Sequence, residues 1–149
     1  MIIRQTDPKL NIWIKKYGCL FMSLAYASGK EYGASQLNLI WDTCVAKGWI
    51  TGDLNHDGDL DDANEAIIVD HDAVAKALGA KLAYTNKHYP PETPIPYGYY
   101  AVGQFYNPRT KFKHFVVIDR EKKVVYDPIP DSVTVREGYL YSIRLYKIL

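Results

Sequence analysis

Cysteine is scarce in this chain: there are two, Cys19 and Cys44, among 149 residues. Two cysteines exclude a disulfide framework, and no four-ligand zinc knot can be assembled from them. No apolar run is long enough to span a bilayer, so membrane insertion is not expected. The opening residues lack the basic start, apolar run and small-residue cleavage site of a signal peptide, so a soluble protein is expected. Charge of one sign is lacking too. Eighteen basic residues face seventeen acidic ones, giving a net +1 with no basic block, and nothing favours nucleic acid as a partner. No internal repeat and no low-complexity stretch occurs.

What is abundant is apolar and aromatic. Apolar residues make up 48% of the chain and charged ones 23%, enough to fill one core, so residues 1–149 read as a single domain. Thirteen tyrosines suit half-buried packing in a strand-rich protein. The first part carries helical periodicity. Leu20, Phe21, Leu24 and Ala25 predict a helix from Cys19 to Ala27. Leu37, Ile40, Trp41, Cys44 and Val45 predict a second, capped by Ser35 and stopped at Gly48. A third, capped by Asp70 or Asp72, ends at Leu78-Gly79. Residues 1–16 read as a lead-in, with Leu10, Ile12 and Ile14 alternating. The second part reads as strands: 81–85, 97–105, 112–119, 124–126 and 141–148, with 86–96 a proline-rich loop carrying His88. Helices first and antiparallel strands second predict α+β.

Cys19 is the focus. It follows Gly18 at the start of an apolar helix, where free amides and the helix dipole favour a thiolate. Gly18 is expected to allow a sharp turn and a close approach of backbone to ligand. His114, opening His-Phe-Val-Val-Ile, and Asp127, in Tyr-Asp-Pro, supply a base and an acid to orient it. The alternative is a buried structural cysteine; Cys44, within an apolar stripe, has only that reading.

A second motif lies at 53–65, between the helical segments. Asp53, Asn55, Asp57, Asp59 and Asp61 take positions one, three, five, seven and nine of a calcium loop, with Gly58 at six for the turn. Asn64 stands at twelve, where an acid usually closes the shell, and Glu65 is one residue late. The motif predicts one calcium ion; the alternative is a solvated acidic turn.

Tyr17-Gly18-Cys19-Leu20 with Ser23-Leu24-Ala25, then His114 to Ile118, then Tyr126-Asp127-Pro128 together resemble the papain-like cysteine peptidases, in their C39-like branch. The resemblance covers residues 17–128, and small members occur in bacteria and phages. It implies a papain-like fold with N-terminal helices on a C-terminal antiparallel sheet. It also implies a Cys19-His114-Asp127 triad that hydrolyses a peptide or peptidoglycan amide, possible settings being the cytoplasm, release from the cell, or a phage virion. In that family a Gln shortly before the nucleophile donates to the oxyanion. Here that position holds Trp13, with Asn11 and Gln5 nearby but out of register. Losing such a donor costs on the order of 100- to 1000-fold in rate. The alternative function is therefore a non-catalytic calcium-binding structural or binding protein that retains the fold.

Overall fold

Residues 2–52 and 66–149 are described by a computed structural model. Asn11 opens the first helix, α1 (Ile12–Tyr17), by accepting a hydrogen bond from the Ile14 amide at 2.8 Å. The alternation of Leu10, Ile12 and Ile14 therefore marks no strand. With Asn11 as a side-chain cap, the local helix wins over a period-two pattern only three residues deep. Helix α2 (Cys19–Ala27) follows after the single residue Gly18, as the periodicity predicted, and buries Phe21, Met22, Leu24 and Ala25. Helix α3 (Ala34–Ala46) buries Leu37, Trp41 and Cys44. Its N-cap is Gly33 rather than Ser35, and the Gly33 amide is held by the Gln36 side chain at 2.8 Å. Gly48 follows α3 with φ +76°, the left-handed turn that glycine permits. Asp70 caps α4 (His71–Ala77) through the Ala73 amide.

The strands are β1 (Leu82–Tyr89), β2 (Tyr99–Asn107), β3 (Phe112–Ile118), β4 (Val124–Tyr126) and β5 (Tyr139–Ile148), with the short helix α5 (Val133–Glu137) leading into β5. They form one antiparallel sheet in the order β1-β5-β2-β3-β4, so the fold is α+β. Strand β1 continues through His88 to Tyr89, beyond the predicted end at residue 85, with a register irregularity between Tyr84 and His88. Helix α5 has no apolar stripe and no buried residue, which is why periodicity missed it.

Both sheet faces are covered. On one, Val102, Val117 and Tyr146 join the apolar faces of α1 to α4 in the main core. On the other, Ala101, Val116, Ile118, Ile143 and Leu145 gather with Ile95 and, from α5, Val135. Helix α2 is tied to the sheet at named points. The Tyr100 hydroxyl donates to the Ser23 carbonyl at 2.6 Å, and Tyr26 stacks on Tyr126 with ring centres 4.5 Å apart. The N-terminal segment is laced to the end of β4. The Gln5 amide donates to the Pro128 carbonyl at 2.8 Å, the Arg4 guanidinium donates to the Asp127 carbonyl, and Arg4 lies over the Tyr126 ring. Among the described residues no helix is long and apolar enough to cross a membrane.

Candidate active site

Gly18 sets the geometry at the nucleophile position. It ends α1 and starts α2, and its amide donates to the Ile14 carbonyl at 2.9 Å. A Cβ there would lie 2.6 Å from the Ile14 oxygen and 2.9 Å from its Cα. The glycine thus serves a close approach to the last turn of α1 where the two helices join. Its φ of −90° is open to any residue, so space alone demands glycine. The first hydrogen bond of α2 runs from the Met22 amide to the Gly18 carbonyl. The amides of Cys19, Leu20 and Phe21 lie ahead of it, at the positive end of the helix dipole. Cys19, partly exposed, sits on that end.

His114 and Asp127 meet there. His114 Nε2 donates to Asp127 Oδ1 at 2.6 Å, and the same oxygen accepts the Ile129 amide at 2.9 Å, which fixes the carboxylate. Lacing of Arg4 and Gln5 to residues 127 and 128 holds that turn against the N-terminal segment. The His114 side chain is buried, with Asp127 more open beside it. Burial works against the imidazolium. Hydrogen bonds from His114 to Asp127 and to Cys19, together with electrostatic attraction to both, outweigh it and push the His114 pKa up to about 9. The three residues expected to act together are thus brought together, in the order Cys19, His114, Asp127. Cys44, by contrast, is fully buried in α3, and burial pushes its thiol up to about 11.

Cys19 opens onto a cleft of about 330 Å³, whose walls include Leu20, His71, Gln104, Phe115 and Arg144. Of these polar residues none was legible as a site residue. His88 also borders this cleft, from strand β1 and not from a loop. His71 is stacked on Tyr84 with ring centres 3.9 Å apart, and its Nδ1 lies 2.8 Å from the Tyr146 hydroxyl. Burial, then the charge of Arg144, lowers the His71 pKa to about 4, against a smaller opposing pull from Asp72. His71 is neutral at physiological pH and does not duplicate His114.

The two polar candidates before Cys19 named from the sequence, Asn11 and Gln5, are engaged elsewhere. Asn11 caps α1, while its own amide donates to Asn38. Gln5 is buried, with its side-chain amide donating to the Lys15 carbonyl at 3.0 Å. Trp13 packs against the main core. The side-chain amide that borders the cleft belongs instead to Gln104, on β2. Its position in an apolar strand gave no signal, because only the pairing of β2 with β3 and β5 brings it beside Phe115 and Ser142.

The calcium ligands expected at Asp53, Asn55, Asp57, Asp59, Asp61, Asn64 and Glu65 lie outside the described residues. The chain on either side of them is described, and it is clamped. The Thr51 amide donates to the Ile67 carbonyl at 2.9 Å, the Ala66 amide to the Thr51 carbonyl at 3.0 Å, and the Val69 amide to the Trp49 carbonyl at 2.8 Å. Ala66, Ile67 and Ile68, on the far side of that clamp, also border the cleft. No family model, no curated protein and no solved structure matches this chain.

Proposed function

We propose that this protein is a cysteine hydrolase of papain-like type, acting on a peptide or peptidoglycan amide through Cys19, His114 and Asp127. One observation carries the reading: a single imidazole is bound to a fixed carboxylate and interacts with a cysteine at a helix start. Those are the parts that nucleophilic acyl transfer needs. With Nε2 committed to Asp127, Nδ1 is the nitrogen left for Cys19. The thiolate attacks the carbonyl carbon, and the amides at the head of α2 stabilise the oxyanion. Imidazolium His114 protonates the leaving nitrogen as the C–N bond breaks, leaving a thioester on Cys19. Water, deprotonated by His114, releases the acid and restores the thiol. Calcium bound at 53–65 belongs to this proposal as a brace outside the triad, since a hard cation has no affinity for the thiolate. A phage-type cell-wall hydrolase is the setting proposed.

A second reading is a binding protein that keeps the fold without turnover. The engagement of Gln5 and Asn11 elsewhere favours it, because it takes both amide candidates upstream of Cys19 away from the oxyanion position.

Turnover of casein peptides and of purified cell wall decides between the two. Cys19→Ala and His114→Ala are expected to bring hydrolysis to background. Asp127→Asn is expected to lower kcat by up to about 10⁴-fold without altering the fold by circular dichroism. A folded Cys19→Ala protein with undiminished turnover would remove the triad, and no turnover by the wild-type protein on either substrate would favour the binding reading.

A further inference from the structure

Arg144 lies in the middle of β5 and is only 8% exposed, yet it borders the cleft that Cys19 opens onto. Among the described residues it has no carboxylate partner. Its hydrogen bonds go to neutral oxygens: Nη1 donates to Ser142 Oγ at 2.7 Å and to Gln104 Oε1 at 3.2 Å, and the Tyr84 hydroxyl is a further side-chain partner. Its flat face lies over the Phe115 ring, 4.7 Å from the ring centre. Two described acids on and beside α4 are engaged elsewhere: Asp70 caps the helix, and Asp72 accepts the Tyr84 amide at 2.7 Å.

A guanidinium carries five N–H donors in a planar fork. Both Nη1 protons are used within the protein, and the ring of Phe115 covers one face, which orients the fork. Three of the five donors are thus engaged, by Ser142, Gln104 and Tyr84, and the two that remain match in number the two oxygens of one carboxylate. A buried charge held only by neutral groups is costly, and a charge partner arriving with a ligand offsets that cost. Among the described residues that line this wall the charge is single. His71 and His88 both have lowered pKa values, from burial and then from Arg144 itself, so neither adds a second cation at neutral pH. One fixed positive charge balances one carboxylate and falls short of a phosphate dianion.

We propose that Arg144, held by Gln104, Ser142 and Phe115, forms a subsite for a substrate carboxylate beside the Cys19 thiol. Calling the ligand a substrate rests on the hydrolase reading; the carboxylate subsite itself does not. The bound group is the side-chain carboxylate of an acidic residue or the terminal carboxylate of a peptide.

Alkylation of Cys19 in the full chain tests this without any turnover. Iodoacetate and iodoacetamide are close in shape and differ in charge. The ratio of their rates at Cys19, normalised to the same ratio for glutathione, is expected to be raised about tenfold in the wild-type protein. Arg144→Lys should keep most of that preference, and Arg144→Gln should reduce it to what His114 alone provides. Buried Cys44, inert to both reagents, reports that each variant is folded. If Arg144→Gln does not fold, the wild-type protein still answers. N-acetylglutamate α-amide, N-acetylalanine and N-acetylglutamine amide are compared as protectants of Cys19 against iodoacetamide. Protection by the first points to a side-chain carboxylate and by the second to a chain terminus. No protection beyond that of the neutral third compound, or a glutathione-like rate ratio, overturns the proposal. Charge preference without hydrolysis of any amide keeps the subsite and removes the enzyme; hydrolysis without charge preference does the reverse.

Discussion

His114 and His71 are the same side chain placed in opposite circumstances. His114 has a carboxylate on one nitrogen and a thiol near the other. His71 has a phenol, a stacked ring and the Arg144 cation. The consequence is opposed pH dependence. The His114 pKa is raised to about 9, so its contribution to stability is complete below its unfolded value of about 6.5 and is lost as pH rises toward 9. The His71 pKa is lowered to about 4, so its contribution is present above about 6.5 and is lost as pH falls toward 4. Thermal melts from pH 4 to 9.5 should therefore peak near pH 6.5. His71→Phe should flatten the acid limb, and Asp127→Asn, by removing the partner that raises His114, should flatten the alkaline limb. A melting temperature that is level from pH 6.5 to 9 in the wild-type protein would contradict the ion-paired state of His114. At this scale the sequence was informative where a residue carries its context along the chain. Cys19 follows a glycine and leads an apolar helix, His114 opens a strand, and Asp127 precedes a proline. Arg144 and Gln104 carry no such context. They meet only because Gln104 pairs with Ser142 across two strands, and no local pattern encodes that pairing.

At the level of elements, helices were the more legible half. A stripe recurring every three to four residues survives any tertiary arrangement, and α2 and α3 follow theirs closely. Boundaries decided by one cap were less legible, as Gly33 in place of Ser35 illustrates. Strand positions were readable from apolar runs, whereas their order was not, since alternation says which residues share a face but not which strand lies alongside. The junction of α1 and α2 yields a prediction of its own. Gly18→Ala places a methyl group against the Ile14 backbone, which has no rotamer with which to yield. The helices must separate. A loss of about 1–3 kcal/mol is expected, as for overpacked cores, together with slower alkylation of Cys19 as its amides shift. Urea denaturation and brief iodoacetamide labelling measure the two effects. Unchanged stability would mean that the junction tolerates a methyl group and that the close approach is incidental.

The molecule as a whole couples its parts through the clamp between residues 49–51 and 66–69. This segment closes the acidic stretch at its base and then contributes Ile67 and Ile68 to the cleft. If residues 53–65 bind calcium as proposed, the ion stabilises the folded chain by mass action. The melting temperature of chelator-treated protein should rise with millimolar Ca²⁺ and less with Mg²⁺, which demands a stricter octahedron and dehydrates reluctantly. Asp57→Ala should abolish the Ca²⁺ effect while leaving the melt in chelator unchanged. The absence of a melting shift and of heat in calorimetry would leave the segment a solvated turn and the triad untouched.

The placement of β5 between β1 and β2 bears on how the chain is made. Ribosomes deliver residue 19 well before the strand at 139–148, so an interior strand of the sheet is the last of the five to emerge. Until then β1 and β2 have no common neighbour, and Arg144 is missing from the wall beside Cys19. Pairings so distant in sequence form slowly, because they close large loops. The nascent chain therefore carries its thiol long before it carries a finished cleft, and the surroundings proposed for hydrolysis arise only when translation has passed Ile148.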